Sequence, residues 1–450
     1  MKLRAVMLLG ISLVLAPVRA DAVFPRDDAF GVAGTVVLEP AVARGVAVQT
    51  SGKIILLTQT DGDLVLLRLG GSGTIDASFG IDGRATAAPF FLTVPPPALA
   101  VQADDRILVA SGTEAGEIRV ARFLPDGAPD TAYGESGVAT VSLPPPGCGY
   151  VVCHGGAVAV ALDARQRALV IGSIADTHDR PVIALVRLTT DGELDATFGD
   201  GGVATTATDD GASELPASLA VTQDGRVVVV GTQLDDTSAP AGFVLATFTA
   251  DGTLDPEFGT GGRASLPIPS GGSAADVVVD GRGRIVVASS MRATPSPGSR
   301  VLVTRWLASG TLDRTFGSRG RALGGVDRWE NSARWALALP SGAILVGAAS
   351  SLGFGGPCPA APSVALLAFD RNGRPSPDDE LPGDSGSPEA ALLQADGKPL
   401  LVSTDRYVCY VVRPPQAHVT RLLPIDVSSG PSGPISIRPR GAGTIPLTPR

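Results

Sequence analysis

The sequence predicts an all-β protein, a seven-bladed β-propeller of four-stranded blades that is closed by its N-terminal strand. Three observations favour this fold. Gly and Pro contribute 56 and 37 of the 450 residues, which suits many turns between short strands. A hairpin pattern recurs seven times, and a D-x-x-[FY]-G-x-x-G motif recurs six times. A lone copy of the motif precedes the first hairpin, whereas no copy follows the last one.

The repeated hairpin consists of an apolar run, a two-residue turn and a β-branched run, as in GVAVQTSGKIILL and LAVTQDGRVVVVG. Successive turns lie 53 to 61 residues apart. Four strands in a unit of this length, repeated seven times, are typical of β-propeller blades. The turns end at Gly52, Asp105, Gln166, Gly225, Gly283, Gly342 and Gly397, and the strands predicted for the first unit are Gly45–Gln49, Lys53–Thr58, Leu64–Leu69 and Gly83–Ala87.

The D-x-x-[FY]-G-x-x-G motif predicts a structural role in each blade. We expect its aromatic ring to fill the space between adjacent blades, its Gly residues to serve a turn and its Asp to cap that turn. An Arg eight residues before the Asp could pair with it, although Thr247 stands at this place in the fourth unit. The alternative, a ring of calcium sites, is disfavoured because the motif has too few acids at ligand spacing. The motif residues are Asp27, Phe30, Asp76, Phe79, Asp130, Tyr133, Asp195, Phe198, Asp255, Phe258, Asp313 and Phe316.

Ring closure is predicted from the two ends of the repeat array. The seventh hairpin lacks its last strand, and the segment Gly34–Leu38 reads as a strand without a hairpin of its own. If this strand completes blade seven, no sheet edge of the ring stays open. The alternative is an open solenoid with mismatched ends.

At these residues the chain resembles the bacterial delta-60 repeat family. The motifs LDATFGDGGVAT, LDPEFGTGGRAS and IDASFGIDGRAT carry the resemblance, together with the hairpins QDGRVVVVG and ADGKPLLV. It covers Phe24 to about Ile425 and departs in the sixth unit, where no F-G motif is visible near Pro377–Pro388. The resemblance implies a propeller-like, exported protein, and it implies no activity and no catalytic residues.

Residues 1–20 read as a secretory signal peptide, with Lys2 and Arg4 before the apolar run Ala5–Leu15 and a small-x-small cleavage site ending at Ala20. The apolar run is too short for a membrane anchor, and no other segment reaches 18 apolar residues. We therefore expect a periplasmic or secreted protein that does not span a membrane. Cleavage would change the net charge from −9 to −12, which disfavours nucleic acid as a partner. Residues 21–425 would form the propeller as one domain, and the Pro/Gly/Ser-rich residues 426–450 are predicted to be disordered.

Length variation between the units is confined to the loop between strands two and three and to the connection between blades. In a propeller both lie on one rim, here called the variable rim, and insertions on one face often mark a binding face. Its charges suggest either ordinary solvated loops or acidic and basic sectors that steer a charged partner. The acids are Asp61, Asp63, Glu114, Glu117, Asp176, Asp179, Asp209, Asp210, Asp235 and Asp236, and the basic residues are Arg292, Arg300, Arg328 and Arg334.

Two further sets of residues lie on loops of the variable rim. His154, Asp176, His178 and Asp179 are weak candidates for a metal site, since their spacing matches no known ligand motif and solvated loop residues are the alternative. No cofactor is predicted. The four Cys residues of an exported chain suggest disulfides. Cys148 and Cys153 lie five residues apart on the connection into blade three, whereas Cys358 and Cys409 lie on matching loops of the adjacent blades six and seven, so we predict the pairs Cys148–Cys153 and Cys358–Cys409.

The sequence contains no G-x-S-x-G, H-E-x-x-H or P-loop signature. We interpret the chain as a monomeric, non-catalytic binding or surface-interaction module for an unidentified protein or glycan at the cell envelope. The alternative is a metal-dependent hydrolase or lactonase with its site at the axial mouth of the variable rim. A structural envelope component without a soluble ligand is a third possibility.

Overall fold

The computed structural model describes residues 24–60, 63–87, 96–113, 116–143, 156–207, 212–292, 298–325, 330–351, 363–376, 379–405, 414–429 and 435–439. The predicted signal peptide, His154 and all four Cys residues lie outside these ranges, so the signal peptide and both disulfides stay predictions. Within the described part of the chain, no helix is long and apolar enough to cross a membrane.

The strands form seven four-stranded antiparallel sheets and one two-stranded hairpin. Strand β1 is Thr35–Leu38. Blade one is β2 Val42–Val48, β3 Ile54–Thr60, β4 Asp63–Leu69 and β5 Arg84–Thr86, and blade two is β6 Ala98–Val101, β7 Ile107–Gly112, β8 Ile118–Phe123 and β9 Val138–Val141. Blade three is β10 Ala159–Leu162, β11 Ala168–Ala175, β12 Pro181–Leu188 and β13 Val203–Thr205, and blade four is β14 Ser213–Val221, β15 Val227–Leu234, β16 Pro240–Phe248 and β17 Arg263–Pro267.

The remaining blades repeat this order. Blade five is β18 Gly272–Val279, β19 Ile285–Arg292, β20 Ser299–Trp306 and β21 Arg321–Gly324, and blade six is β22 Glu330–Ala338, β23 Ile344–Ser351, β24 Ser363–Phe369 and β25 Asp379–Ser385. Blade seven is β26 Ser387–Leu393, β27 Pro399–Asp405 and β28 Gln416–Arg421, with β1 as its outer strand. The hairpin consists of β29 Ile425–Ser429 and β30 Ile435–Pro439.

Blade seven is completed by the first strand of the chain. Strand β1 pairs antiparallel with β28, with Thr35 opposite Thr420 and Leu38 opposite Ala417. The first strands of neighbouring blades contact one another all round the ring, including β26 with β2. The predicted seven-bladed propeller, closed by its N-terminal strand, is therefore confirmed.

The hydrophobic core lies between the blades. Successive residues of a strand point to opposite faces of its sheet, so Ile54 and Leu56 pack toward blade seven while Ile55 and Leu57 pack toward blade two. All four side chains are buried. This packing explains why the second and third strands read as continuous apolar runs, because both faces of each blade are covered.

The first strand of every blade except blade six is mostly half-buried although it lies innermost in the ring. These strands line a central channel that solvent can reach. Five of them carry a β-bulge, which in blade five lies between Ala274 and Asp276. The bulge locally bends the strand and re-aims its side chains.

The junction of blades six and seven contains both ends of the described propeller. Phe24, Ile425 and Val427 are buried there against Leu366 and other residues of blades six and seven. The tail predicted to be disordered from residue 426 thus has regular structure over its first residues, in β29 and again in β30. Within this Pro/Gly/Ser-rich stretch, the apolar residues Ile425 and Val427 alternate with polar ones, and their side chains bury one face of β29.

Candidate functional site

In five of the seven blades, the motif aromatic, the motif Asp and the preceding Arg form a polar unit, here called the Arg–Asp–aromatic unit. In blade three, Arg187 Nε donates to Asp195 Oδ2 at 2.8 Å. Its guanidinium lies over Phe198, 4.3 Å from the ring centroid. Arg187 Nη1 donates to the carbonyl of Ala250 in blade four at 2.5 Å. The unit therefore joins one blade to the next. It recurs at Arg68, Arg122, Arg305 and Arg421.

A second cation from the start of strand two lies beside the Asp in each of these units and also beside the motif Asp of blade four. Arg167 Nη1 lies 2.7 Å from Asp195 Oδ2. Burial alone would raise the pKa of Asp195, but the hydrogen bonds from Thr197 and the charge of Arg187 outweigh it and lower the pKa to about 2. The motif Gly is also required by its place: at Gly199, with φ +53°, a Cβ would lie 2.3 Å from the carbonyl oxygen of Val203. The other second cations are Lys53, Arg106, Arg226, Arg284 and Lys398.

Blades four and six depart from this unit. In blade four Thr247 replaces the Arg, and no described residue hydrogen-bonds its buried hydroxyl. In blade six all three charged places are neutral, because Ala343, Ala368 and Ser376 stand where blade five has Arg284, Arg305 and Asp313. The backbone is unchanged, since Ser376 N donates to the Ala368 carbonyl as Asp313 N donates to that of Arg305. Apolar packing of Phe24 and Val427 covers the neutral junction.

The rim that carries these units is uniform, whereas the variable rim contains a cleft of about 300 Å³ at the junction of blades four and five. Two of its walls come from the loop between β15 and β16 and from the connection between β17 and β18. The third comes from the rim ends of β19 and β20. The lining residues are Asp235, Ala239, Pro240, Pro269, Ser270, Gly271, Gly272, Ser273, Ser290, Met291, Arg292 and Ser299.

The connecting wall of this cleft is held from several sides. Ile268 is buried, and its N–H donates to the Ala241 carbonyl at 2.7 Å. Gly271 N donates to the Ile268 carbonyl at 2.8 Å, and Arg292 N donates to the Gly271 carbonyl at 3.0 Å. Gly271 has φ +83°, and a Cβ there would lie 3.3 Å from the Pro240 carbonyl oxygen. The turn between blades four and five is therefore shaped before any ligand arrives, which reduces the entropy cost of binding.

The polar groups of the cleft differ in how many hydrogen bonds they already make to the protein. Ser290 Oγ accepts from Ala333 N, and Ser299 Oγ accepts from Asn331 N, so both join blade five to blade six. The hydroxyls of Ser270 and Ser273 make no hydrogen bond to any described residue. Asp235 Oδ1 accepts from the backbone and hydroxyl of Thr237 and from the backbone of Ala239.

The charges predicted for the variable rim are distributed unevenly. On the acidic side, Asp176 pairs with Arg180 at 2.7 Å and Glu117 pairs with Arg119 at 3.3 Å. On the basic side, Arg292 and Arg300 lie on opposite faces of blade five, because Met291 rather than Arg292 is opposite Arg300. The acids are thus partly neutralised locally, and of the two basic residues only Arg292 is among those that line the cleft. Asp61, Glu114, Asp209, Asp210 and Arg328 lie outside the described ranges.

The structure brings the metal candidates of blade three into one turn. Asp176 Oδ1 accepts from His178 N and Arg180 N, and Asp176 Oδ2 accepts from Arg180 Nε at 2.8 Å. Burial would raise the pKa of Asp176, but these bonds lower it to about 2. The His178 side chain is 68% exposed, and its Nδ1 lies 4.0 Å from Asp176 Oδ2. Asp179 occupies the turn with φ +61°. Among the described residues, no three His, Cys, Asp or Glu side chains come together in a way that could hold a metal ion.

One carboxyl group of the central channel, on the first strand of blade five, belongs to none of the sequence motifs. Asp276 Oδ1 accepts from Ser218 Oγ of blade four at 2.6 Å, and Asp276 Oδ2 accepts from Ala336 N of blade six at 2.8 Å. It therefore bridges the innermost strands of three blades. Its burial raises the pKa against the effect of these hydrogen bonds.

Three segments of the chain, residues 102–133, 169–198 and 222–258, match the family described as "Domain of unknown function (DUF5122) beta-propeller". Each segment ends at a motif aromatic, Tyr133, Phe198 or Phe258. The chain is a β-propeller repeat protein. The matched copies fall in blades two, three and four of this propeller. A comparison with curated proteins finds no match.

Solved structures resemble this propeller in fold alone. Virginiamycin B lyase from Staphylococcus aureus is 9% identical, and the alignment covers 86% of this chain and 98% of that chain with a TM-score of 0.44. The polysaccharide lyase Uly1 is 9% identical over 84% of this chain and 89% of that chain, with a TM-score of 0.48. A protein from Lactobacillus plantarum is 15% identical over 75% and 84% of the two chains, with a TM-score of 0.45.

Proposed function

We propose that this propeller is an exported, non-catalytic binding module, and that its ligand site is the cleft between blades four and five on the variable rim. Export is proposed from the signal-peptide pattern in residues 1–20. The partner is a protein or glycan of the cell envelope that presents a small polar group to the cleft.

The observation that carries this proposal is the contrast between the two rims. On the uniform rim, most cations of the Arg–Asp–aromatic units bind a motif Asp, so the polar groups there satisfy one another. In the cleft, Ser270, Ser273 and Arg292 have hydrogen-bonding capacity that the described residues do not use, on a wall held by Ile268 and Gly271. A concave site with a few convergent polar groups is the ordinary form of a small-ligand site.

A matched pair of Trp substitutions tests the location of the site. Ser270→Trp fills the cleft, whereas Ser51→Trp places the same side chain on an exposed turn of the opposite rim. Thermal unfolding is followed with a panel of monosaccharides, sugar acids and amino acids as probes. We expect at least one probe to stabilise the wild type and Ser51→Trp, by about 2.7 kcal/mol at 100 times its Kd, and to leave Ser270→Trp unchanged. A panel without any such probe, or stabilisation that survives in Ser270→Trp, would contradict the proposal.

A further inference from the structure

The cleft contains a cation that no described carboxylate neutralises. Arg292 ends strand β19, its side chain is exposed, and among the residues that the structure describes it forms no ion pair. The stem of this side chain lies against the turn, because its Cδ and Nε are 3.6 Å from the point where a Cβ on Gly271 would lie. The backbone bond from Arg292 N to the Gly271 carbonyl holds the same contact. The guanidinium is thus positioned at the cleft while its hydrogen-bond donors remain available.

The wall from blade four contributes the opposite charge. Hydrogen bonds from the Thr237 hydroxyl, then from the Ala239 and Thr237 backbone, lower the pKa of Asp235, so its carboxyl group is ionised at neutral pH. These bonds all use Oδ1, which leaves Oδ2 as an acceptor. Ser270 and Ser273, which lie between Asp235 and Arg292 in the sequence, add two hydroxyls to the lining of the cleft. The cleft therefore presents a fork of donors on blade five and an acceptor on blade four.

The guanidinium of Arg292 and the carboxylate of Asp235 are complementary to one class of ligand. From this complementarity we infer that the cleft binds a small carboxylate that also carries hydrogen-bond donors, with the carboxylate on Arg292 and a donor group on Asp235. A guanidinium recognises a carboxylate with two charge-assisted hydrogen bonds. The volume of about 300 Å³ is at the lower end for ligand sites, which fits a molecule the size of a monosaccharide or an amino acid. Sugar acids and amino acids share this chemistry, and either could be free or the end of an envelope polymer.

The inference rests on the proposed function, because it names the ligand class of the same cleft. Four probes test it by isothermal titration: D-galacturonate and its counterpart without a carboxylate, D-galactose, and L-serine and its counterpart L-serinamide. We expect one of the two carboxylates to bind at least tenfold more tightly than its counterpart. The member of the pair that binds identifies the source as a sugar acid or an amino acid. Its affinity should fall with rising salt, since the contact is ionic and exposed.

Three variants assign the binding to named groups. Arg292→Gln keeps the length and polarity of the side chain but removes its charge, and we expect at least a tenfold loss of carboxylate affinity. Arg282→Gln is the matched control, because Arg282 is an exposed residue of the same blade on the β18–β19 turn of the opposite rim. Its affinity should equal that of the wild type. Asp235→Asn can keep an acceptor for its turn, and we expect it to weaken both carboxylate probes.

The outcomes separate the two proposals. If galactose binds as tightly as galacturonate and Ser270→Trp abolishes both, the cleft is a ligand site but the carboxylate inference is wrong. Equal affinities of Arg292→Gln and the wild type for the bound carboxylate would also overturn the inference. If none of the four probes binds, the inference fails as well, while the wider panel of sugars and amino acids still tests the cleft itself.

Discussion

Replacing Arg187 by Thr should reproduce in blade three what the chain itself has in blade four. Arg187 and Asp195 are buried, with side-chain exposures of 4% and 8%. The substitution removes the hydrogen bonds from Arg187 to Asp195 and Ala250 and the contact with the Phe198 ring. Removing one member of a buried ion pair costs about 3–5 kcal/mol. Asp195 keeps Arg167 at 2.7 Å, so we expect the lower end, about 3 kcal/mol.

Urea unfolding of Arg187→Thr measures this loss, with the midpoint and the slope fitted separately. Arg165→Thr is the control, because Arg165 is an exposed residue of the same blade and should change stability by less than about 0.5 kcal/mol. The double variant Arg187→Thr with Asp195→Asn should recover part of the loss, since it leaves no carboxylate with one partner missing. If Arg187→Thr is no more damaging than Arg165→Thr, the Arg–Asp–aromatic unit does not stabilise the blade junctions and the reasoning is refuted.

Three further outcomes are expected. Thr247→Val removes a buried hydroxyl that has no described partner, so it should be neutral or stabilise the fold by up to about 1 kcal/mol. Thr304→Val is the control, because it removes the acceptor of the Trp306 indole and should lower the thermal midpoint. Equal effects of the two variants would contradict this prediction. Deleting Phe24–Glu39 removes the strand that completes blade seven, and a deletion variant with an unchanged midpoint would disprove its role. The raised pKa of Asp276 means that the folded state keeps its proton above the unfolded value of about 3.9. The stability of the wild type relative to Asp276→Asn should therefore fall as pH rises from about 4 to the folded pKa, and urea unfolding at several pH values would show a constant difference if this is wrong.

The ring could be predicted because its signals are local and repeated. The D-x-x-[FY]-G-x-x-G motif combines the aromatic that packs against the next blade with the Gly that its turn requires, so each copy reports one junction. The lone copy at Asp27 even predicted which strand closes blade seven. The sequence also distinguishes blade six from the other blades. Its residues Ala343, Ala368 and Ser376 are uncharged, whereas blade five has Arg284, Arg305 and Asp313 at the aligned positions. Where the Arg is missing, the motif Asp either keeps its second cation, as Asp255 keeps Arg226 in blade four, or is itself replaced, as in blade six, because a buried unpaired charge is costly.

The cleft could not be predicted in the same way. Its walls come from three loops of unequal length, and residues such as Ser270 and Gly271 read as ordinary turn composition. The charge of Arg292 is visible in the sequence, but its place at the cleft depends on the contact between the end of β19 and Gly271, which only the folded structure creates. For the metal candidates of blade three, in contrast, the sequence already contained a signal for the observed structure. Asp176 lies four residues before Arg180, and this spacing already allowed the turn in which the carboxylate caps its own loop.

The packing of β29 depended on tertiary structure rather than on composition. Ile425 and Val427 are only two apolar residues in a Pro/Gly/Ser-rich stretch, too few to predict a strand. They become buried because the neutral face of blade six, around Ala343 and Ala368, leaves room for apolar side chains that the charged units elsewhere do not leave.

The pairing of β1 with β28 also has consequences for folding kinetics. The hydroxyls of Thr35 and Thr420 lie 3.1 Å apart although 385 positions separate them in the chain. Contacts of such sequence separation form late, since loop closure must precede them. Until β1 docks, β28 presents an unpaired edge that can pair with another chain, so aggregation competes with closure during folding. Once the ring is closed, no terminal blade remains from which the array can fray, and unfolding must begin by separating two distant segments at once.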